Sequence, residues 1–288
     1  MALTTTPNGV FVLQALLGVE TLPIALRLQP FIPSLYDDAL IVSTTAGPVP
    51  VSKTAEYAGL VAAGVIDTHG RVDDTVRDWM TVLGRAERQV VLAIRRPDPA
   101  TAQTESPTVQ ERVMVVCRHR QWMAMAARDG EEVVIDAVGE SADPGEQVEL
   151  ICNALLPAFG HAEAADIEGV NVPADLMSST LNNAAPHGRD ALIQALGRLG
   201  IQSPLTHVLS SVANFGQSAM AVVSLVDSGI SQHHHRRLLT VADTEFGRIS
   251  ITTSTSPDGR EWMTIWPTTM AGLHDDLITL LDTPLAAA

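Results

Sequence analysis

One order of predicted secondary structure occurs twice along this 288-residue chain, and that repeat constrains the fold more than any single motif. Each copy has two helices, four strands and a closing helix, and the hydrophobic period changes from 3.6 to 2 where the strands begin. An Asp-Gly pair joins the last two strands of each copy, at Asp129 and at Asp258, as expected for a tight hairpin. The shared order and shared turns predict an internal duplication.

The first copy starts with a helix over Lys53–Ala63, which Gly64 ends, and a helix that begins at Asp73 or Asp74. The strands and closing helix of this copy are expected at Gln89–Arg96, Arg112–Arg118, Gln121–Arg128, Glu131–Val138 and Gly145–Leu156, with Pro157 as the stop. The second copy has the same elements in the same order, at Arg189–Leu199, Pro204–Ala213, Ser218–Val226, Arg236–Ala242, Arg248–Thr253, Arg260–Trp266 and Gly272–Leu281.

The spacing of the copies supports the duplication. Gly64 and Gly200 are 136 residues apart, whereas Asp129 and Asp258 are 129 apart. The loop after the first strand has 14 residues (Pro97–Gln110) in one copy and 8 (Asp227–His234) in the other, which accounts for six of the seven residues lost. We therefore predict an α+β fold with two pseudo-twofold-related halves of one domain, residues 1–160 and 161–288, around a mostly antiparallel sheet flanked by helical bundles. The alternative is coincidence, because this order of elements is common.

Charge and composition exclude several classes of partner. Eighteen basic and 33 acidic residues give a net charge of −15, which repels nucleic acid and anionic lipid. The chain lacks an apolar stretch long enough for a membrane span, and its first basic residue is Arg27, so no secretory signal is indicated. Cys117 and Cys152 lie in apolar surroundings without CxxC spacing, which favours reduced, buried thiols. We expect a cytoplasmic protein.

Motifs for catalysis or cofactor binding are missing, so we expect no enzyme, no cofactor and no metal. There is no GxGxxG after a strand and no GxxxxGK[ST]. Gly216–Met220 begins like a nucleophile elbow but lacks the closing glycine. His233-His234-His235 is interpreted as a solvated loop, although a divalent metal site is the alternative. The pairs Asp73-Asp74 and Asp275-Asp276 are each expected in the first turn of a helix, where carboxylates stabilise the free N–H groups.

Aromatic side chains leave one question open. Each strand tryptophan alternates with residues that share its face of the sheet, and core packing is the default expectation for the set Trp79, Trp122, Trp262 and Trp266. The functional alternative is a sheet face left open to receive a partner helix.

Several segments, taken in order, resemble the EspG family, the cytosolic chaperones of mycobacterial type VII (ESX) secretion. The resemblance covers about residues 4 to 284 and rests on Thr6–Leu16, Leu28-Gln29-Pro30 with Ile32-Pro33, Ala63–Asp67, Val76–Leu83, Val116-Cys117-Arg118, Ala126–Gly130, Val170–Pro173, Asp243–Ile249 and Trp266–Thr269. In the family, the segment at Leu28–Pro33 is a short strand. Each motif is weak alone; their order and spacing carry the resemblance.

The resemblance implies a binding function, which is consistent with the lack of motifs for catalysis or cofactor binding. EspG-like proteins bind PE–PPE heterodimers before export and cover an apolar tip of the PPE subunit, which keeps it soluble and directs it to one secretion system. Such cargo docks on the central sheet and the second helical bundle. The residues implied here are Met220, Val222 and Ser224 on one strand, Leu238 and Thr240 beside them, and Ile201 and Leu205 at the neighbouring helical turn.

Two other readings stay open. One is a small-ligand-binding protein or hydrolytic enzyme that uses the cleft between the halves, which predicts a deep polar pocket with convergent ionisable groups. The other is a homodimer, with weak self-association through a flat apolar face. A broad, shallow apolar groove would favour the chaperone.

Overall fold

The computed structural model describes residues 2–32, 40–44, 47–98, 100–101, 108–213, 218–228 and 232–284. The helices in these ranges are α1 (Pro7–Leu17), α2 (Ala55–Ala62), α3 (Asp74–Gly84), α4 (Pro144–Phe159), α5 (Ala174–Ala184), α6 (Arg189–Arg198), α7 (Ser203–Val212) and α8 (Met270–Leu281). The strands are β1 (Leu3–Thr5), β2 (Ile41–Thr44), β3 (Gly47–Pro50), β4 (Arg88–Pro97), β5 (Val109–His119), β6 (Trp122–Asp129), β7 (Glu132–Glu140), β8 (Val170–Pro173), β9 (Ala219–Ser228), β10 (Gln232–Thr244), β11 (Gly247–Thr255) and β12 (Glu261–Pro267).

Ten strands form one antiparallel sheet whose order is symmetric about its centre. The order is β1-β7-β6-β5-β4-β9-β10-β11-β12-β8, and β2 pairs only with β3. Exchanging the two halves maps β4 onto β9, β5 onto β10, and so on to β1 and β8 at the edges. At the centre β4 pairs with β9, where Leu92 lies opposite Val223. The pseudo-twofold axis passes between these strands, which confirms the predicted α+β fold; the boundary at residue 160 stays a prediction.

Helices cover both faces of the sheet. On one face α4 and α8 pack against each other and bury residues from the central strands, such as Leu92, Val223 and Leu239. On the other face the first bundle (α1, α2, α3) covers β5, β6 and β7. The second bundle (α5, α6, α7) covers the inner residues of β10, β11 and β12 on that same face. The protein therefore has three buried clusters. One lies under α4 and α8 and is shared by both halves, and each of the other two is the core of one bundle.

Most local predictions are confirmed because the turn chemistry is strong. Asp73 caps α3 by accepting from the backbone N–H groups of Thr75 and Val76, and the predicted stripe of α3 is buried. Gly64 and Gly200 both have positive φ, at 74° and 82°, after the helices that they end. Within the described ranges, no helix combines the length and apolar composition that crossing a membrane requires.

Four local expectations are wrong. Helix α4 continues past Pro157 to Phe159, because the Phe159 ring is buried and Arg248 binds the terminal carbonyl groups. The three histidines lie in β10 and not in a loop, since His233 and His234 pair with Asp227 and Val226 of β9. Leu28–Ile32 forms no strand. Asp275-Asp276 lies in the second turn of α8 and not in the first, because that helix begins at Met270. Pro33 and, in the predicted first-copy loop, residues 99 and 102–107 lie outside the described residues.

Two buried arginines join the halves at the ends of the covering helices. Arg248 on β11 is fully buried; it binds both carboxylate oxygens of Asp243 at 2.6 and 3.0 Å. Its remaining N–H groups donate to the carbonyl oxygens of Phe159 and Gly160 at the end of α4. Arg88 on β4 binds Asp227 in the same bidentate way and donates to the carbonyl oxygens of Leu281 and Thr283 at the end of α8. Each cation therefore neutralises the C-terminal end of a helix from the other half.

Replacing Arg248 with methionine should destabilise the protein by about 3 kcal/mol, since it leaves buried carbonyl oxygens and one carboxylate without a donor. Urea unfolding followed by tryptophan fluorescence measures the change. The matched control is Arg260→Met, because the Arg260 side chain is 75% exposed and should cost less than about 0.5 kcal/mol. Equal losses in the two variants would contradict the role assigned to Arg248.

Candidate functional site

A strip of the central sheet stays uncovered between the two bundles. It consists of residues from β4, β9 and β10 that face the bundles, and we call it the open strip: Ala93, Met220, Val222, Ser224, Leu238 and Thr240. None of these side chains belongs to the three buried clusters. All are partly exposed, and Leu238 is 39% exposed. The centre of the sheet is therefore a partly exposed, mainly apolar floor.

Register and alternation explain why these residues share one face. Val222 pairs with Ala93 of β4 on one side and with Thr240 of β10 on the other. Ser224 pairs with Leu238. The residues between them, Ala221, Val223 and Leu225, point to the opposite face and are buried under α4 and α8. Val222 therefore lies at the middle of the open strip.

The walls of this floor come from the bundles and the adjoining strands. Val91 and Val113 pack against the core of the first bundle, while Ile251 and Met263 pack against that of the second. All four are only partly buried, so they extend the apolar surface on both sides. The result is a continuous, mainly apolar surface across the symmetry axis, and an exposed apolar patch of this kind favours a protein partner.

Five of the seven residues that the resemblance implied meet on this surface. Met220, Val222, Ser224, Leu238 and Thr240 form most of the open strip. Ile201 and Leu205 are only 5% and 4% exposed and pack inside the core of the second bundle. In this conformation they support the bundle and do not reach a partner.

The first half contributes residues to this surface that were not predicted. Ala93 belongs to the open strip and Val91 adjoins it, and both lie on the predicted strand Gln89–Arg96. A signal was present: if the halves are symmetric and the sheets meet at the middle, β4 lies beside β9, and alternation places its odd-numbered residues on the same face as Val222.

No catalytic arrangement forms among the described residues. His235 and Asp227 do meet, with Nε2 2.6 Å from Oδ2, but Arg88 binds both oxygens of that carboxylate in a buried ion pair. Within the described part of the chain, no three His, Cys, Asp or Glu residues converge as a metal site would require. The Gly216 end of the elbow-like motif lies outside the described residues, and Ser218 donates to the Ser211 carbonyl oxygen.

A second concavity of about 770 Å³ lies beside the first bundle. Residues between Thr21 and Pro30, the end of α3, and Ser228 and Gln232 from the second half line it. Its exposed lining is mostly apolar, with Arg27, Arg85 and Glu87 at its charged positions. It does not bring a histidine and a carboxylate together, so it lacks the polar pocket that the hydrolytic alternative required.

Two tryptophans depart from the expectation of core packing. Trp79 is buried in the first bundle, but Trp122 and Trp266 are 48% and 53% exposed. The Trp266 ring lies over Gly169, where a Cβ atom would be 2.3 Å from the ring. One face of the Trp266 ring therefore packs closely on the backbone of Gly169, although about half of the residue is exposed.

The two cysteines are built for packing, not for reactivity. Both are fully buried. Burial raises the pKa of the Cys117 thiol far above its usual range, and burial with the nearby charge of Glu149 raises the pKa of Cys152 to about 12. Thiolate, the reactive form, is therefore scarce at neutral pH.

We expect both thiols to resist Ellman's reagent at pH 8 in the folded protein and to react in denaturant. The absorbance change should correspond to no thiol before unfolding and to two after it. Rapid reaction of either cysteine without denaturant would contradict this burial.

Comparison with known proteins places this architecture in a class, the chaperones of type VII secretion. The model of the EspG family matches residues 6–277. The ESX-2 secretion-associated protein EspG2 of Mycobacterium tuberculosis is 30% identical over 266 residues, which cover 90% of this chain and 87% of that protein. The ESX-5 secretion-associated protein EspG5 of Mycobacterium marinum is 24% identical over 98% of this chain and 93% of its own length.

A solved structure shows the same fold. It is the Mycobacterium tuberculosis type VII secretion system chaperone EspG5 in complex with a PE25-PPE41 dimer. The TM-score is 0.75 at 21% identity, over 100% of this chain and 99% of that one. With the family model matching nearly its whole length, this chain belongs to the EspG family.

Proposed function

We propose that this protein is a cytosolic secretion chaperone that binds a PE–PPE heterodimer through the apolar tip of the PPE subunit. The observation that carries the proposal is the open strip, an apolar surface at the centre of the sheet that neither bundle covers. Family membership supports it, and so does the PE25-PPE41 dimer bound by the structurally similar EspG5. The protein acts by binding and not by catalysis.

Burial of apolar surface on both partners supplies the driving force. An exposed apolar tip on a helical bundle favours aggregation, and a groove that removes it from water keeps the cargo soluble. A contact of about 1,200–2,000 Å² in total is enough for a specific complex. The open strip and its walls provide a continuous floor for such a contact, with Val222 at its centre. The five partly exposed residues predicted from the resemblance are proposed contacts; Ile201 and Leu205 act by holding the second bundle in place.

Co-expression with the PE–PPE pairs encoded near this gene tests the proposal. We expect one pair to co-purify and to elute from size exclusion as a one-to-one-to-one complex, with more soluble cargo than in its absence. If no pair forms a complex or gains solubility, the proposal is wrong. A free protein that is a stable dimer through the open strip would instead favour the homodimer.

Replacing Val222 with arginine should weaken the complex more than about 100-fold, because a charge at the centre of an interface loses its hydration without a partner. Isothermal titration calorimetry measures the affinity. Thr279→Arg is the matched control, since Thr279 is exposed on α8 at the opposite face and gains the same charge. Unchanged thermal unfolding of both variants separates lost contact from lost fold, and equal affinities would contradict the placement of the site.

A further inference from the structure

A basic segment interrupts the acidic surface at one end of the open strip. The sequence His233-His234-His235-Arg236-Arg237 occurs in a chain of net charge −15. In the structure it forms the first part of β10, where both arginines are exposed and the Arg236 side chain is 93% exposed. This segment therefore presents two guanidinium groups to solvent beside an apolar surface.

The strand pairing fixes these arginines next to the proposed cargo site. Leu238 of the open strip directly follows Arg237, and it pairs with Ser224. Between His234 and Leu238 the register with β9 shifts, so β10 bulges where the arginines lie. Bulges commonly redirect side chains at binding surfaces. Arg236 and Arg237 thus flank the end of the apolar floor.

The acidic groups near this segment do not neutralise it. Asp227 is buried and bound to Arg88 and His235. Glu261 lies 3.8 Å from the Arg236 guanidinium, which is too long for a hydrogen bond, and both groups are more than half exposed. For Arg237 the described residues provide no ion-pair partner. Two cations are therefore available to a ligand.

We propose that Arg236 and Arg237 bind carboxylate groups that lie beside the apolar tip of the PPE subunit. This proposal rests on the proposed function and adds the chemistry of the partner. A chaperone of net charge −15 repels an acidic cargo at long range, so an attractive point next to the apolar floor fixes where and in which orientation that cargo docks. Arginine suits this role because its fork of donors matches a carboxylate.

The alternative occupant is a polyanion such as nucleic acid. Two exposed arginines are few for that purpose, and the chain carries a net charge of −15, so the observations favour a protein carboxylate. Binding of a short DNA duplex that charge reversal abolishes would overturn the proposal.

Charge reversal at the two arginines tests it directly. In 50 mM salt, Arg236→Glu/Arg237→Glu should weaken binding of the co-purifying PE–PPE pair by about tenfold, chiefly through slower association. The difference from the unmodified protein should shrink in 500 mM salt because the charges are screened. The matched control is Lys53→Glu/Arg71→Glu, which makes the same change in net charge at two exposed positions of the first half. Equal weakening by both double variants, or by neither, would overturn the proposal.

A cross-linking experiment identifies the partner groups, because Lys53 is the only lysine in the chain. In a Lys53→Arg background, Arg236→Lys/Arg237→Lys keeps the charge and introduces two amines. A carbodiimide should then join these amines to cargo carboxylates, and mass spectrometry should locate the linked residues beside the apolar tip. Lys53→Arg alone is the control. Links no more frequent than in this control, or confined to cargo residues far from the tip, would overturn the proposal.

The two proposals fail in different ways. If Val222→Arg abolishes the complex and Arg236→Glu/Arg237→Glu leaves affinity and salt dependence unchanged, the chaperone function stands and the carboxylate contact is wrong. If no PE–PPE pair binds at all, the proposed function itself is wrong.

Discussion

The architecture depends on two buried arginine–carboxylate pairs. In each pair, the arginine also binds the C-terminal end of a helix from the other half. Arg248 belongs to the second half and binds the end of α4 from the first, while Arg88 belongs to the first half and binds the end of α8 from the second. The two arginines are not symmetry equivalents, since Arg248 lies on β11 and Arg88 on β4. A buried guanidinium is costly unless its donors are used, and here both carboxylates and helix carbonyls use them. The halves are thereby joined into one body.

These contacts also determine which sheet face is free. With α4 and α8 held across the symmetry axis, the middle of one face of β4 and β9 is covered, and Leu92 and Val223 are fully buried there. The bundles on the other face each belong to one half and pack on its outer strands. Among the described residues, neither bundle reaches over the axis, so a gap between them at the centre follows from the duplication. The open strip is thus a consequence of symmetry, and the apolar side chains in it are what make the gap a candidate binding site.

The sequence could predict most of the elements, because local chemistry determines them, and its resemblance to a family implied much of the site. The Asp-Gly turns, the cap at Asp73 and the strand alternation predict the elements, whereas the five contacts on the open strip were implied by the family resemblance. Long-range contacts were not predictable. No local pattern indicates that Arg248 binds the end of α4. That contact stabilises the continuation of the helix beyond Pro157. Likewise the burial of Ile201 and Leu205 depends on how α6 and α7 pack, and an apolar stripe does not say whether it meets a core or a partner.

Departures from symmetry indicate where specificity arises. The axis passes between β4 and β9, so a symmetric floor would offer a partner two equivalent orientations. On the first half the strip contributes Ala93, a small side chain, whereas the second contributes Met220, Val222 and Leu238 from two strands. Arg236 and Arg237 lie at the bulge of β10 in the second half. Arg95 of the first half pairs with Met220 at the other end of the strip, and its guanidinium lies 3.9 Å from Glu111. The larger apolar side chains therefore lie on one side of the axis, and the charges at the two ends of the strip differ. The duplication produces the uncovered surface at the centre of the sheet. The side chains that differ between the two copies favour one orientation of a bound partner.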